Sequence, residues 1–172
     1  GSTQLRNWLV EAGWAYNSAR ISPTGKWVAF QKSKAGGVDI PGLYLIPMNG
    51  NIQEAIVLPF DRNKGNLTWS QDEKSLYFTA QSNGGIPLYR ADIASGKIMP
   101  ITAADAGVGS FDLANNRLLF VQTNVSSPFE LMLADADGKN QRVISALNSG
   151  WLAKDRKSTR LNSSHANISY AV

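Results

Sequence analysis

A serine can act as a nucleophile only with a base beside its hydroxyl to take the proton, most often a histidine. The 172 residues contain one histidine, His165, in a Ser- and Asn-rich C-terminal stretch. The elbow pattern G-x-S-x-G is missing; Ala80-Gln81-Ser82-Asn83-Gly84 comes nearest. That segment lies between two expected strands and lacks the strand-to-helix turn that exposes a nucleophile, so it reads as a hairpin loop. Composition leaves a Ser-Lys dyad open, but no spacing singles out a pair. Asp135-Ala136-Asp137-Gly138-Lys139-Asn140 begins like a calcium loop, yet its twelfth position is Ala146 instead of Glu and its flanks read as strands. It is taken as an Asp-Gly turn between strands. Gly107-Val108-Gly109 lacks the third glycine of a dinucleotide fingerprint and is read as a turn between units. With no cysteine in the chain, thiolate catalysis, cysteine zinc sites and disulfides are excluded. No catalytic residue, metal site or cofactor site is assigned. Asp61 and Arg62 are the candidate binding residues, and two readings of them stand: a structural ion pair or channel-facing groups.

The elements that would position such residues centre on Asn66 to Thr102. A short strand from Leu67 to Trp69 and the polar turn Ser70-Gln71-Asp72-Glu73-Lys74 lead into a strand from Ser75 to Ala80, with Leu76 and Phe78 alternating against Ser75, Tyr77 and Thr79. The loop Ser82-Asn83-Gly84-Gly85 leads to a strand from Pro87 to Asp92, and Ala94-Ser95-Gly96-Lys97 turns into a last strand from Ile98 to Thr102. Four short antiparallel strands make a sheet too small to stand alone.

Its neighbours are imperfect copies. Ser22, Lys26 and Phe30 recur 48 residues later as Ser70, Lys74 and Phe78, and Phe78 recurs 42 residues later as Phe120. A second landmark repeats in Leu43-Tyr44-Leu45, Leu88-Tyr89-Arg90 and Leu131-Met132-Leu133, with starts 45 and 43 residues apart. Four strands per unit at this period are the mark of β-propeller blades. The expected fold class is all-β, a partial β-propeller of about three four-stranded antiparallel blades near residues 16–58, 67–102 and 109–145. Residues 1–20 read as the end of an incomplete unit. Trp27, Trp69, Tyr77, Phe78 and Phe120 recur at equivalent blade positions and are assigned to the core between blades in preference to a ligand channel.

Composition fits a folded soluble chain, with 43% hydrophobic and 17% charged residues. Formal charge is +4, and the tail contributes Arg156, Lys157 and Arg160 against Asp155. The nearly balanced body gives no case for nucleic-acid binding. No apolar run reaches membrane-spanning length, and Gly1-Ser2-Thr3-Gln4 lacks the regions of a signal peptide. The propeller region is placed at 1–154 and a separate tail at 155–172, where blade signals stop. That tail resembles the translated remnant of a sequencing adapter, which implies that the natural protein continues past Lys154; a genuine flexible C-terminus is the alternative.

Ile21-Ser22-Pro23-Thr24-Gly25-Lys26-Trp27-Val28-Ala29-Phe30 resembles the S-P-D-G-K turn and strand of the prolyl oligopeptidase class of serine peptidases (peptidase family S9). The match continues through Phe60-Asp61-Arg62, Asn66-Leu67-Thr68-Trp69-Ser70, Ser75 to Ala80, Leu88-Tyr89-Arg90 and Ala134 to Lys139, and within that class the pattern is similar to the branch of bacterial dipeptidyl and acylaminoacyl peptidases. Thr24, Gln71 and the shortened turn Ala114-Asn115-Asn116 depart from the pattern. The resemblance implies a propeller that covers an α/β-hydrolase domain of the same parent chain and admits peptide substrates only. It implies that the triad lies on that domain, after Lys154, and that this segment is inactive alone. The parent would remove short units from peptide N-termini, in bacterial cytoplasm or periplasm. S-P-D-G-K turns also occur in the Tol-system periplasmic propeller, so a non-enzymatic scaffold for protein partners is the second reading.

Overall fold

The computed structural model describes residues 8–124 and 127–150; His165 and the tail at 155–172 lie outside them. Among the described residues, twelve strands form three four-stranded antiparallel sheets, each a meander in chain order. Sheet 1 consists of β1 (Trp14–Ile21), β2 (Trp27–Lys34), β3 (Gly42–Pro47) and β4 (Ile56–Leu58), with a 3₁₀ turn at Ile52–Glu54 before its last strand. Sheet 2 consists of β5 (Lys64–Trp69), β6 (Ser75–Ala80), β7 (Leu88–Asp92) and β8 (Ile98–Pro100). Sheet 3 consists of β9 (Gly107–Ala114), β10 (Arg117–Asn124), β11 (Ser127–Asp135) and β12 (Arg142–Val143). The first strand β5 adjoins both β1 and β9, so the sheets fan out from an inner edge of first strands as propeller blades do.

The first hairpin turns share one chemistry. In sheet 1 the Ser22 amide donates to Trp27 O (2.8 Å) while the Trp27 amide donates to the Ser22 hydroxyl (3.0 Å). In sheet 2 Ser70 and Ser75 repeat both bonds at 2.9 Å. The left-handed position is Gly25 in the first turn and Glu73, at φ 58°, in the second. A glutamate tolerates that conformation poorly, but its carboxylate accepts the Thr24 amide of the neighbouring turn at 2.5 Å, joining sheets 1 and 2. Sheet 3 closes its hairpin with Asn115 and Asn116, both at positive φ, the two-residue turn that matches strand twist.

Each first strand also carries a bulge opposite the second strand: at Ser18-Ala19, Asn66-Leu67 and Gly109-Ser110. A bulge breaks the period-2 pattern of side chains, and it accounts for three corrections to the sequence reading. Trp14–Ile21 is the first strand of sheet 1 and not the end of another unit. The strand expected to start at Leu67 starts at Lys64. Gly107-Val108-Gly109 is the opening of β9 and not a turn; a Cβ on Gly107 would meet the Thr123 methyl at 2.9 Å.

The core lies between the sheets. Ala29, Leu43 and Leu45 of sheet 1 pack on Trp69, Leu76 and Phe78 of sheet 2, and Tyr77 and Leu88 of sheet 2 pack on Leu118 and Phe120 of sheet 3. Every side chain of β6 is therefore buried. The alternation expected there separates two buried faces, since a middle sheet has a neighbour on each side. A stacked cross-strand pair recurs on equivalent faces: Phe30 with Tyr44 (5.7 Å) and Phe78 with Tyr89 (5.8 Å). In sheet 3 the register places Met132 opposite Phe120.

Candidate functional site

The candidate residues Asp61 and Arg62 sit in the link between β4 and β5, and the link is held from both sides. Phe60 inserts edge-on against the Phe78 and Tyr89 rings, at 5.2 and 4.9 Å, a geometry in which the positive ring edge meets the negative ring face. Lys64, the first residue of β5, is buried. Its ammonium donates to Phe60 O (3.2 Å) and Arg62 O (2.7 Å), so the link curls around the charge. Burial pulls the Lys64 pKa below its ordinary value, with the Asp61 carboxylate opposing the shift. The Lys64 carbonyl accepts from the buried Gln31 amide of sheet 1 at 2.9 Å.

With the link pinned, Arg62 reaches sideways to the β6–β7 loop. Its Nη1 donates to Gln81 O (3.0 Å) and, over a longer 3.5 Å, to the Tyr89 hydroxyl. The Asp61 carboxylate is 3.7 Å from Arg62 Nε and almost wholly exposed, a loose pair whose contribution to stability is small. Thus the structure brings Arg62 into contact with sheet 2, whereas Asp61 projects into solvent.

The loop facing Arg62 is a tight hairpin. Ser82 and Gly85 exchange both backbone hydrogen bonds, at 3.0 and 2.7 Å, around Asn83 and Gly84, which have positive φ. The Ser82 segment is thus a turn, as its sequence suggests, and not a nucleophile elbow. Gly85 permits a close approach, since a Cβ there would meet Ala104 O at 2.6 Å. The Ile86 amide then donates to Ala106 O of the β8–β9 link, and its carbonyl accepts from the Val108 amide of β9. Arg62 and residues Gln81 to Ile86 line an open cleft of about 520 Å³. Its charged group is the half-exposed Arg62 guanidinium, a planar donor suited to carboxylate or carbonyl oxygens.

The other candidate residues have structural partners. Asp135 accepts from Arg117 (2.7 Å) and Asn140 (2.6 Å), and Asp137 pairs with Lys139 (2.8 Å). Hydrogen bonds from Lys139 hold the Asp137 carboxyl below its usual range. No group of three or more His, Cys, Asp or Glu gathers at metal-binding distance among the described residues. Trp69, Tyr77, Phe78 and Phe120 stand between sheets, and Trp27 packs at the margin of the same core.

Sequence reasoning missed a polar cluster where β1 begins. Glu11 pairs with the buried Lys32 at 2.5 Å and accepts from the Tyr16 hydroxyl at 2.5 Å, while the Trp14 ring lies 4.2 Å from the Lys32 ammonium. Burial, and then the hydrogen bond to Glu11, push the Tyr16 pKa up to about 12. The register pairs Tyr16 with Lys32 and Trp14 with Lys34, and the Ser18-Ala19 bulge shifts that register by one residue from the one the hairpin turn sets, which hides the pairing in the sequence.

No protein-family model matches the chain, and no curated protein sequence does. Solved structures do match in fold. The acylaminoacyl peptidase of Pyrococcus horikoshii is 20% identical with a TM-score of 0.60, over 80% of this chain and 21% of that one. The β-propeller domain of the Trilobed protease from Pyrococcus furiosus is 19% identical with a TM-score of 0.58, over 72% and 38%. TolB from Acinetobacter baumannii is 17% identical with a TM-score of 0.55, over 74% and 31%. The chain spans between about a fifth and two fifths of these structures, and what it shares with them is the propeller fold.

Proposed function

We propose that this chain is a non-catalytic propeller segment of a serine peptidase of the prolyl oligopeptidase class, which gates peptide access to a hydrolase domain of the same parent. The observation that carries the reading is the Phe60-Asp61-Arg62 link. The aromatic residue locks the link to sheet 2, the lysine behind it fixes its curl, and the arginine is presented at an open cleft. Such a group can hold the carbonyl or carboxylate of a short peptide without taking part in bond cleavage. Within the parent, the Arg62→Ala variant is expected to raise KM about tenfold with kcat unchanged, the outcome for lost uniform binding.

The reading frame beyond Lys154 provides the direct test. G-x-S-x-G followed by Asp and His supports the peptidase, whereas a stop codon or a further blade overturns it. The purified chain should not turn over chromogenic dipeptide or acylated amino-acid substrates; serine-dependent turnover would contradict the assignment of chemistry to another domain. A non-enzymatic scaffold is the second reading, favoured by the fold likeness to TolB.

A further inference from the structure

A half-buried arginine of sheet 2 lacks an ionic partner. Arg90 of β7 donates from Nε to the buried Ser75 hydroxyl at 2.8 Å, and among the described residues no carboxylate comes within ion-pair distance of its guanidinium. The carboxylates around it are held by other groups. Asp92 accepts from Ser95 at 2.6 Å, Asp135 from Arg117 at 2.7 Å, and Asp137 pairs with Lys139 at 2.8 Å. Asp72 accepts the Ser70 hydroxyl (2.6 Å) and the Lys74 amide (3.1 Å), both on Oδ1, which leaves Oδ2 without a hydrogen bond from another residue.

Arg90 and Asp72 meet at the seam between sheets 2 and 3, where two cavities adjoin and share Ser70, Asp72, Asn116 and Ala136 as lining residues. One cavity, of about 220 Å³, is polar and holds Arg90. The other, of about 240 Å³, is walled by Leu113, Ala114 and Ala136. The seam is braced from both sheets. The Tyr77 hydroxyl donates to Ala136 O at 2.6 Å, and the Ala136 amide donates to Asn116 O at 3.1 Å, so a ligand has little ordering left to impose.

We infer that this seam binds a free α-amino acid with an apolar side chain. The Arg90 fork takes the carboxylate in two parallel bonds. Asp72, which lines both cavities, takes the ammonium, and the side chain enters the cavity beside Leu113. The surrounding charges select a zwitterion: Asp72, Asp135 and Asp137 around a single guanidinium repel a phosphate or a dicarboxylate, whereas a ligand with one charge of each sign satisfies both Arg90 and Asp72. The seam lies at the hairpin-turn end of β5 and β6, and the Arg62 cleft at the other end of the same strands. The inference therefore stands apart from the gating reading.

Isothermal titration calorimetry of the purified chain with L-leucine provides the test. Saturable one-to-one binding with Kd below about 10 mM is expected. The analogues 4-methylpentanoate, which lacks the ammonium, and 3-methylbutylamine, which lacks the carboxylate, should each bind at least about tenfold more weakly. Absence of saturable binding, or binding of either analogue as tight as that of L-leucine, overturns the inference. Arg90→Gln should abolish binding. Ala114→Phe, at an exposed position outside the core, fills the apolar cavity and should do the same even where Arg90→Gln loses its fold. A variant of either kind that keeps the near-ultraviolet circular dichroism of the unmodified chain and still binds L-leucine equally well places the ligand elsewhere and overturns the site.

Discussion

Trp69 joins the first two sheets in two ways. Its ring fills the core between them, 7% exposed, and its Nε1 donates to Arg20 O of β1 at 3.0 Å. Trp69→Ala is expected to cost about 3 to 5 kcal/mol in urea denaturation, and Trp69→Phe, which keeps most of the apolar volume, roughly 1 to 2 kcal/mol. A loss below about 1 kcal/mol for the alanine variant contradicts this packing. Tyr16 supplies a pH test. Its folded pKa rises from 10.0 to about 12, so its contribution to stability is complete below pH 10 and is lost as pH climbs through 12. Absorbance titration at alkaline pH should show a late phenolate with that midpoint, absent in Tyr16→Phe. Glu11→Gln should move the midpoint part of the way down, because burial is the larger cause and remains.

The hairpin turns are the parts of the elements most directly written in the sequence. The Ser22 and Ser70 hydroxyls each accept a backbone amide across their turns, and each Ser→Ala change is expected to cost about 1 kcal/mol. The two effects should add to within roughly 0.5 kcal/mol if the turns act independently. Excess coupling in the double variant would point to the bond from Thr24 to Glu73 that connects them. Polar turn residues and Pro23 announce these turns because their chemistry is local. The bulges of β1, β5 and β9 were illegible for the opposite reason. Ser18 and Asn66 adopt positive φ, and the adjoining strand accommodates the extra residue at each site. Of the candidate site, Phe60-Asp61-Arg62 was legible as an unusual polar link, but Lys64 gave no sign in one dimension that its ammonium holds that link.

At the scale of the molecule, cohesion runs from sheet to sheet. Sheet 2 shares one core with sheet 1 and another with sheet 3, so stability should divide by neighbour as in repeat proteins. Phe120→Ala is expected to raise amide exchange throughout β9 to β11 while β2, β3 and β6 keep most of their protection; uniform loss of protection would make the three sheets one cooperative unit. The sequence by itself determined the all-β class, the three four-stranded units and the aromatic positions that recur in them, because those features follow from turn residues and short-range alternation repeated along the chain. Tertiary structure alone decided that β6 is buried on both faces and that Arg62 rests on the β6–β7 loop while Asp61 projects into solvent. Each of these depends on contacts between residues of different sheets, whose register and bulges are settled only when the sheets pack.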